Sequence, residues 1–165
     1  MSKFVHLHTH SHYSLLDGLP KIDELVHRTK ELGMDAVALT DNGNLYGAIE
    51  FYKKAKAAGI KPILGVEAYI APNNHQDKSA NGEEKYYHLT LLVQNNDGWK
   101  NLIRIVTRSH LDGFYYRPRM DKEILSEHGK GLIELSGFLG GEISRLLAAN
   151  NMQAAGLKGQ GFASC

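Results

Sequence analysis

Four histidines occupy alternate positions of the segment VHLHTHSHYSLLDG: His6, His8, His10 and His12. Alternate residues of an extended chain share a face, so this stride lines up imidazoles where a buried strand would place Val or Ile. An affinity tag would run contiguously. Side chains of this type, gathered in this way, point to a divalent metal. Carboxylates recur at matching places. Asp17 lies seven residues after His10, Asp41 follows the apolar run AVAL, and Glu67 follows PILGV. Imidazole and carboxylate together make a borderline-to-hard donor set suited to Zn²⁺, Mn²⁺ or Fe²⁺. A His-x-His pair alone says little, but the same pair with a carboxylate seven residues on and an Asp and a Glu at successive strand ends says much more.

Each residue also has a plainer reading. His6 alternates with apolar neighbours and is expected to pack against them or to support a ligand. His12 fits an exposed loop, Asp17 before Gly18 fits a turn, and Glu67 fits a structural ion pair. His88 opens the run HLTLLV and on its own reads as a core histidine. His27, His75, His110 and His128 are expected on a solvated surface. None of these readings explains why the reactive types collect after successive apolar runs, where parallel α/β folds place their ligands. Ser136 and Gly137 follow a later run of the same kind.

The elements that must position these groups alternate along the chain. Phe4–Leu7 reads as a strand, and Ile22, Leu25, Val26 and Leu32 give a helix opened by Pro20 and stopped by Gly33. Ala36–Leu39 reads as a strand buried on both faces. The next helix spans Ala48 to Ala58, with Ile49, Tyr52 and Ala55 inward. Residues 62 to 66 form a strand, 72 to 85 an exposed loop, and HLTLLV another strand. A helix from Gly98 to His110 carries Leu102, Ile103, Val106 and Leu111 as its stripe. GLIEL is a strand, SGFLGG a loop, and Glu142 to Ala149 a helix. This repeat of strand, loop and helix predicts a parallel sheet or a (β/α) barrel, with the barrel favoured.

Composition narrows the classes of function. The 165 residues carry 19 Lys and Arg against 18 Asp and Glu, so no global field selects nucleic acid or an acidic membrane surface. No apolar run reaches the length of a membrane span, and no signal peptide opens the chain. The single Cys165 excludes an internal disulfide and fits a reducing cytoplasm. The segment FYYRPR interleaves aromatic and basic residues and could stack bases. With Gly113 before it and Pro118 within it, a packed loop joining two helices is the better expectation.

HLHTHSHYSLLDG, AVALTDNGNLYG, IKPILGVEAYIA, HLTLLVQNNDGWKNLIRIV, HLDGFYYRPRMDKEIL and GLIELSGFLGGEI together resemble a known family. It is the polymerase-and-histidinol-phosphatase (PHP) domain at the amino terminus of bacterial replicative DNA polymerase III α subunits. The resemblance runs from about residue 3 to about residue 155. NLYGAIEFYKKAKAAGIKPILG and GFYYRPRMD are similar to the polymerase branch and not to free-standing phosphatases. The implied fold is a distorted (β/α)7 barrel, a TIM-like α/β architecture, here truncated. The implied domain covers residues 1–155 and is incomplete at its C-terminal end. Residues 156–165 have no apolar periodicity and are expected to form an atypical, non-native or disordered tail.

Position by position, the family's metal ligands fall on His8, His10, Asp17, Glu67 and His88. Asp41 matches the acidic residue of its Thr-Asp-His motif, but Asn42 replaces the histidine. Phe138 stands where active members commonly carry a cysteine, and the family's final Asp-x-His pair is not reached. His6, His12, Asp41 and Asn42 are thus supporting or tentative members of the site. The resemblance implies a divalent metal, Zn or Mn, with Mg reserved for a polymerase portion outside this chain. It also implies a vestigial 3′–5′ exonuclease or pyrophosphatase site with a structural or docking role. The implied partners are the rest of the α subunit, a proofreading exonuclease subunit, and DNA through the parent protein, with no membrane. The competing function is a free-standing, histidinol-phosphatase-like phosphoesterase.

Overall fold

The computed structural model describes residues 4–78 and 86–162. Two sequence expectations, the loop over 72–85 beyond residue 78 and the tail beyond Phe162, lie outside them. The chain forms two compact units, Met1–Glu67 and Ala68–Cys165.

In the first unit, α1 (Ile22–Glu31) leads to β1 (Ala36–Leu39), α2 (Ala48–Ala57) and β2 (Lys61–Ile70), whose last residues belong to the second unit. The Lys21 N–H donates to Glu24 Oε2 at 2.9 Å, closing the first turn of α1. β1 pairs in parallel with β2, Ala36 opposite Lys61 through Leu39 opposite Leu64. Ile22, Val26, Val37, Leu39, Phe51, Ala55 and Ile60 make the core between the helices and these strands. Burying each of the larger side chains stabilises by roughly 1.5–3 kcal/mol. In α2 the inward face is Ala48, Phe51 and Ala55, whereas Ile49 and Tyr52, expected inward, are exposed. The two candidate stripes differ by one residue in phase, and the ring of Phe51 decides between them. Leu32, likewise expected on the apolar face of α1, is exposed.

The histidine segment does not form the predicted strand. Ala38 N–H donates to the His6 carbonyl and Thr40 N–H to that of Thr9, both at 2.9 Å. The acceptors are three residues apart and the donors two, so a regular ladder cannot continue. The chain bends at Leu7–His8 instead.

The second unit contains β3 (Tyr87–Val93), α3 (Asn96–Leu111), β4 (Phe114–Tyr115), β5 (Arg117–Met120), α4 (Lys122–His128), β6 (Leu132–Leu135), α5 (Glu142–Ala148) and α6 (Met152–Phe162). Its strands run in the order β4-β5-β2-β3-β6. The end of β2 pairs with β5 in parallel, but β3 with β6 and β4 with β5 are antiparallel. The sheet is therefore mixed, not parallel throughout as the alternation predicted. α3 buries Leu102, Ile105, Val106 and Ser109, while Ile103 and Leu111 point outward. Asn95 and Asp121 cap α3 and α4 by accepting the backbone N–H groups of Gly98 and Ile124. Beyond Ala155, where the sequence pattern fades, the backbone continues as α6.

FYYRPR is a hairpin and not a plain loop, turned at Tyr116 (φ 61°). Arg119 is fully buried within it, donating to the carbonyls of Gly113, His75 and Asp77. His75 is also buried, against expectation. Its Nδ1 lies 2.5 Å from Asp121 Oδ2, and that carboxylate also accepts the His75 N–H at 2.9 Å. Polar loop composition hides a histidine that a buried carboxylate holds inside. Among the described residues no helix is long and apolar enough to cross a membrane.

Candidate metal centre

The turn that carries the site is built on hydroxyl groups. Ser11 and Ser14 are wholly buried, and both serve the buried Asp41 carboxylate just beyond β1. Asp41 Oδ1 accepts the Ser11 N–H and the Ser14 hydroxyl, each at 2.7 Å, and Oδ2 accepts the Ser11 hydroxyl at 2.8 Å. Asp41 thus holds the histidine turn. Gly18 closes the turn: a Cβ there would meet the Ser11 carbonyl oxygen at 2.0 Å. Tyr13 braces the other side, its hydroxyl donating to Glu50 Oε2 at 3.0 Å while its ring covers Gly47. That carboxylate raises the Tyr13 phenol above its ordinary pKa.

Glu67 was expected at a strand end, but β2 continues through it to Ile70. It is fixed by its own backbone: its N–H donates to the Asp41 carbonyl and its carbonyl accepts the Gly43 N–H at 2.8 Å. The loop after β1 and the middle of β2 are therefore locked together, with Asn42 bridging to Glu67.

His8, His10 and Glu67 converge. One ligand atom from each lies within 4.8 Å of the others. His10 Nε2 is 2.9 Å from Glu67 Oε2 and 3.0 Å from His8 Nε2, and His8 Nε2 also meets Glu67 Oε2. Glu67 is buried, His10 is partly covered and His8 is the most open of the three. Hydrogen bonding to Glu67 raises the His10 imidazole above its ordinary pKa, against burial, which lowers it. Two imidazoles and one carboxylate on one point form the donor set of catalytic zinc sites, with positions left for water or substrate.

The other predicted members are not among these three residues. Asp17 is exposed, and its Oδ2 accepts the Asn42 amide N–H at 2.6 Å. Asn42 Oδ1 is buried without a hydrogen-bond partner. His6 is exposed, its ring edge-on to Phe4 at 4.7 Å, and so is not packed inside as expected. His12 lies against the Tyr13 ring at 4.2 Å, with a buried, unpartnered Nδ1. His88 belongs to the second unit, among the rings of Tyr69, Tyr86 and Phe138. The donor set of His8, His10 and Glu67 fits a divalent cation.

The sequence reading missed Ser11 and Ser14. Small hydroxyl residues interleaved with the histidines, ahead of a lone buried aspartate, were the available signal.

The PHP domain model matches residues 6–158. The chain is 51% identical over 155 residues to the DNA polymerase III subunit alpha of Borreliella burgdorferi, covering 93% of this chain and 14% of that protein. The corresponding subunit of Thermus aquaticus is 49% identical over 157 residues, at 93% and 13% coverage. The chain therefore spans about one seventh of the length of these curated relatives. Among solved structures, a protein described as a metal-dependent phosphoesterase from Bifidobacterium adolescentis superposes with a TM-score of 0.48 at 18% identity, covering 66% of this chain and 34% of that one. With the histidine turn, Asp41 and Glu67 all inside the matched span, the chain belongs to the PHP domain family.

Proposed function

We propose that His8, His10 and Glu67 hold one divalent cation, Zn²⁺ or Mn²⁺, in a degenerate phosphoesterase site. We further propose that the chain serves as the PHP portion of a bacterial replicative DNA polymerase α subunit. The observation that carries the first part is the convergence of three ligand atoms within 4.8 Å. Such an ion, when bound, supplies a Lewis acid and an activated water. Two departures from the family pattern favour stability over turnover. Asn42 engages Asp17 where the family pattern puts an imidazole, and Phe138 offers no ligand atom. The identity to polymerase III α subunits over nearly the whole chain supports the second part. In that setting the partners are the rest of the subunit, a proofreading exonuclease subunit, and DNA through the parent protein.

Hydrolysis assays on the chain test the degenerate site. With Mn²⁺ or Zn²⁺, turnover of a generic phosphate ester and of a DNA 3′ end is expected barely above background. Substantial turnover abolished by the His8→Ala, His10→Ala double variant would overturn this reading and favour a working phosphoesterase.

A further inference from the structure

The hairpin of β4 and β5 turns on a single residue. Tyr115 pairs with Arg117, so Tyr116 alone makes the bend, with φ at 61°. That left-handed conformation is costly for a bulky side chain and suits Gly or Asn. Tyr116 is nevertheless an aromatic, and at 66% exposure burial does not offset the strain. Strained backbone of this kind recurs at functional sites.

The base of the hairpin is held firmly. Arg119 is buried and donates to the carbonyls of Gly113, His75 and Asp77, with its guanidinium 5.1 Å from the centre of the Tyr115 ring. A Cβ at Gly113 would meet the Arg119 carbonyl oxygen at 2.0 Å, so the chain closes tightly there. The outer end is open. Phe114 is 52% exposed, Tyr116 meets the Tyr115 ring edge-on at 4.7 Å, and Arg117 is exposed with its guanidinium 5.6 Å from the Tyr69 ring. Among the described residues no carboxylate pairs with Arg117.

We propose that Phe114, Tyr116 and Arg117 form a binding element for single-stranded nucleic acid, the rings stacking on bases and the guanidinium taking one phosphate. Rings beside a cation match a base and its neighbouring phosphate. A duplex keeps its base faces inside the stack, and an apolar protein surface would have to desolvate Arg117 without a partner. The 19 cations and 18 anions of the chain supply no long-range field, so affinity comes mainly from stacking. This contact belongs to the chain itself and is independent of the metal centre.

Fluorescence anisotropy of a short labelled oligothymidylate, titrated with the whole chain, tests the proposal. Two stacked bases and one phosphate contact predict a dissociation constant of roughly 0.05–1 mM at low salt. One phosphate contact on a single strand predicts a slope of about −0.7 in log affinity against log salt. Tyr116→Phe should bind like the unsubstituted chain. Tyr116→Gly should weaken binding at least about fivefold, the low end for one stacked base, while its denaturation midpoint holds or rises because the strain is gone. Arg117→Gln should flatten the salt dependence, and Arg117→Lys should keep it. Absence of saturable binding would overturn the proposal, as would unchanged affinity in Tyr116→Gly. A salt slope of several units would also overturn it, by assigning the binding to diffuse charge. A fall in both stability and binding in Tyr116→Gly would make Tyr116 a packing residue and contradict it as well. Each of these results leaves the metal centre untouched, since Zn²⁺ titration reads that separately.

Discussion

The Asn42 side-chain amide donates to the Asp17 carboxylate at 2.6 Å. Two residues that the family pattern would direct at metal are thus bonded to each other. A carboxylate only accepts, so the amide nitrogen must face Asp17, and Oδ1 is left buried with no partner. Asn42→His should reverse this. An imidazole here adds a stronger ligand than an amide oxygen and releases Asp17. The expected outcome is a rise in Zn²⁺ or Mn²⁺ bound per chain, read by titration of metal-free protein. Unchanged stoichiometry and affinity would show that Asn42 does not limit the site.

Gly18 closes the histidine turn against the Ser11 carbonyl. The 2.0 Å approach of an added Cβ is to backbone oxygen, which cannot rotate away as a side chain would. Gly18→Ala is therefore expected to cost about 1–3 kcal/mol, the range for overpacking a tight site. Denaturant melts measure this. Metal affinity should fall with it, because Ser11 and Asp41 share the displaced backbone. A substitution with neither effect would mean that the turn is far more compliant than its hydrogen bonds imply.

Asp121 supplies a pH dependence. Burial alone would raise its carboxyl pKa. The N–H of Ile124 and the ring and N–H of His75 outweigh burial and hold it below the ordinary range. A depressed folded pKa gives stability that is present above the unfolded value, about 3.9. That stability is lost as pH falls through the folded value. Asp121→Asn retains the ability to cap α4 but not the charge. It should lower stability by about 1.5–3 kcal/mol near neutrality, as for a lost charged hydrogen bond. The gap from the unsubstituted chain should narrow in acid below about pH 4. A gap that does not change with pH would assign the effect to shape alone.

Much of this was legible in the residue types. His8, His10 and Glu67 stood out because their joint placement has no easy structural use, and they do meet. α1, α2, α3 and α5 were legible from apolar spacing, apart from phase where neighbouring stripes competed, as between Phe51 and the pair Ile49 and Tyr52, whereas α4 and α6 were not read. Three features depended on partners distant in sequence. Burial of His75 requires Asp121, burial of Arg119 requires the carbonyls of His75 and Asp77, and the roles of Ser11 and Ser14 require Asp41. The hairpin of β4 and β5 was missed because two-residue and four-residue strands leave little periodicity to read.

The convergence of His8, His10 and Glu67 is tested most directly by calorimetric titration of the metal-free chain with Zn²⁺, checked by elemental analysis of the dialysed protein. The account predicts one ion per chain in the unsubstituted protein, unaffected by His6→Ala. It predicts loss of that ion in Glu67→Ala and in the His8→Ala, His10→Ala double variant. No bound ion in the unsubstituted chain, or an ion that survives Glu67→Ala, would contradict it.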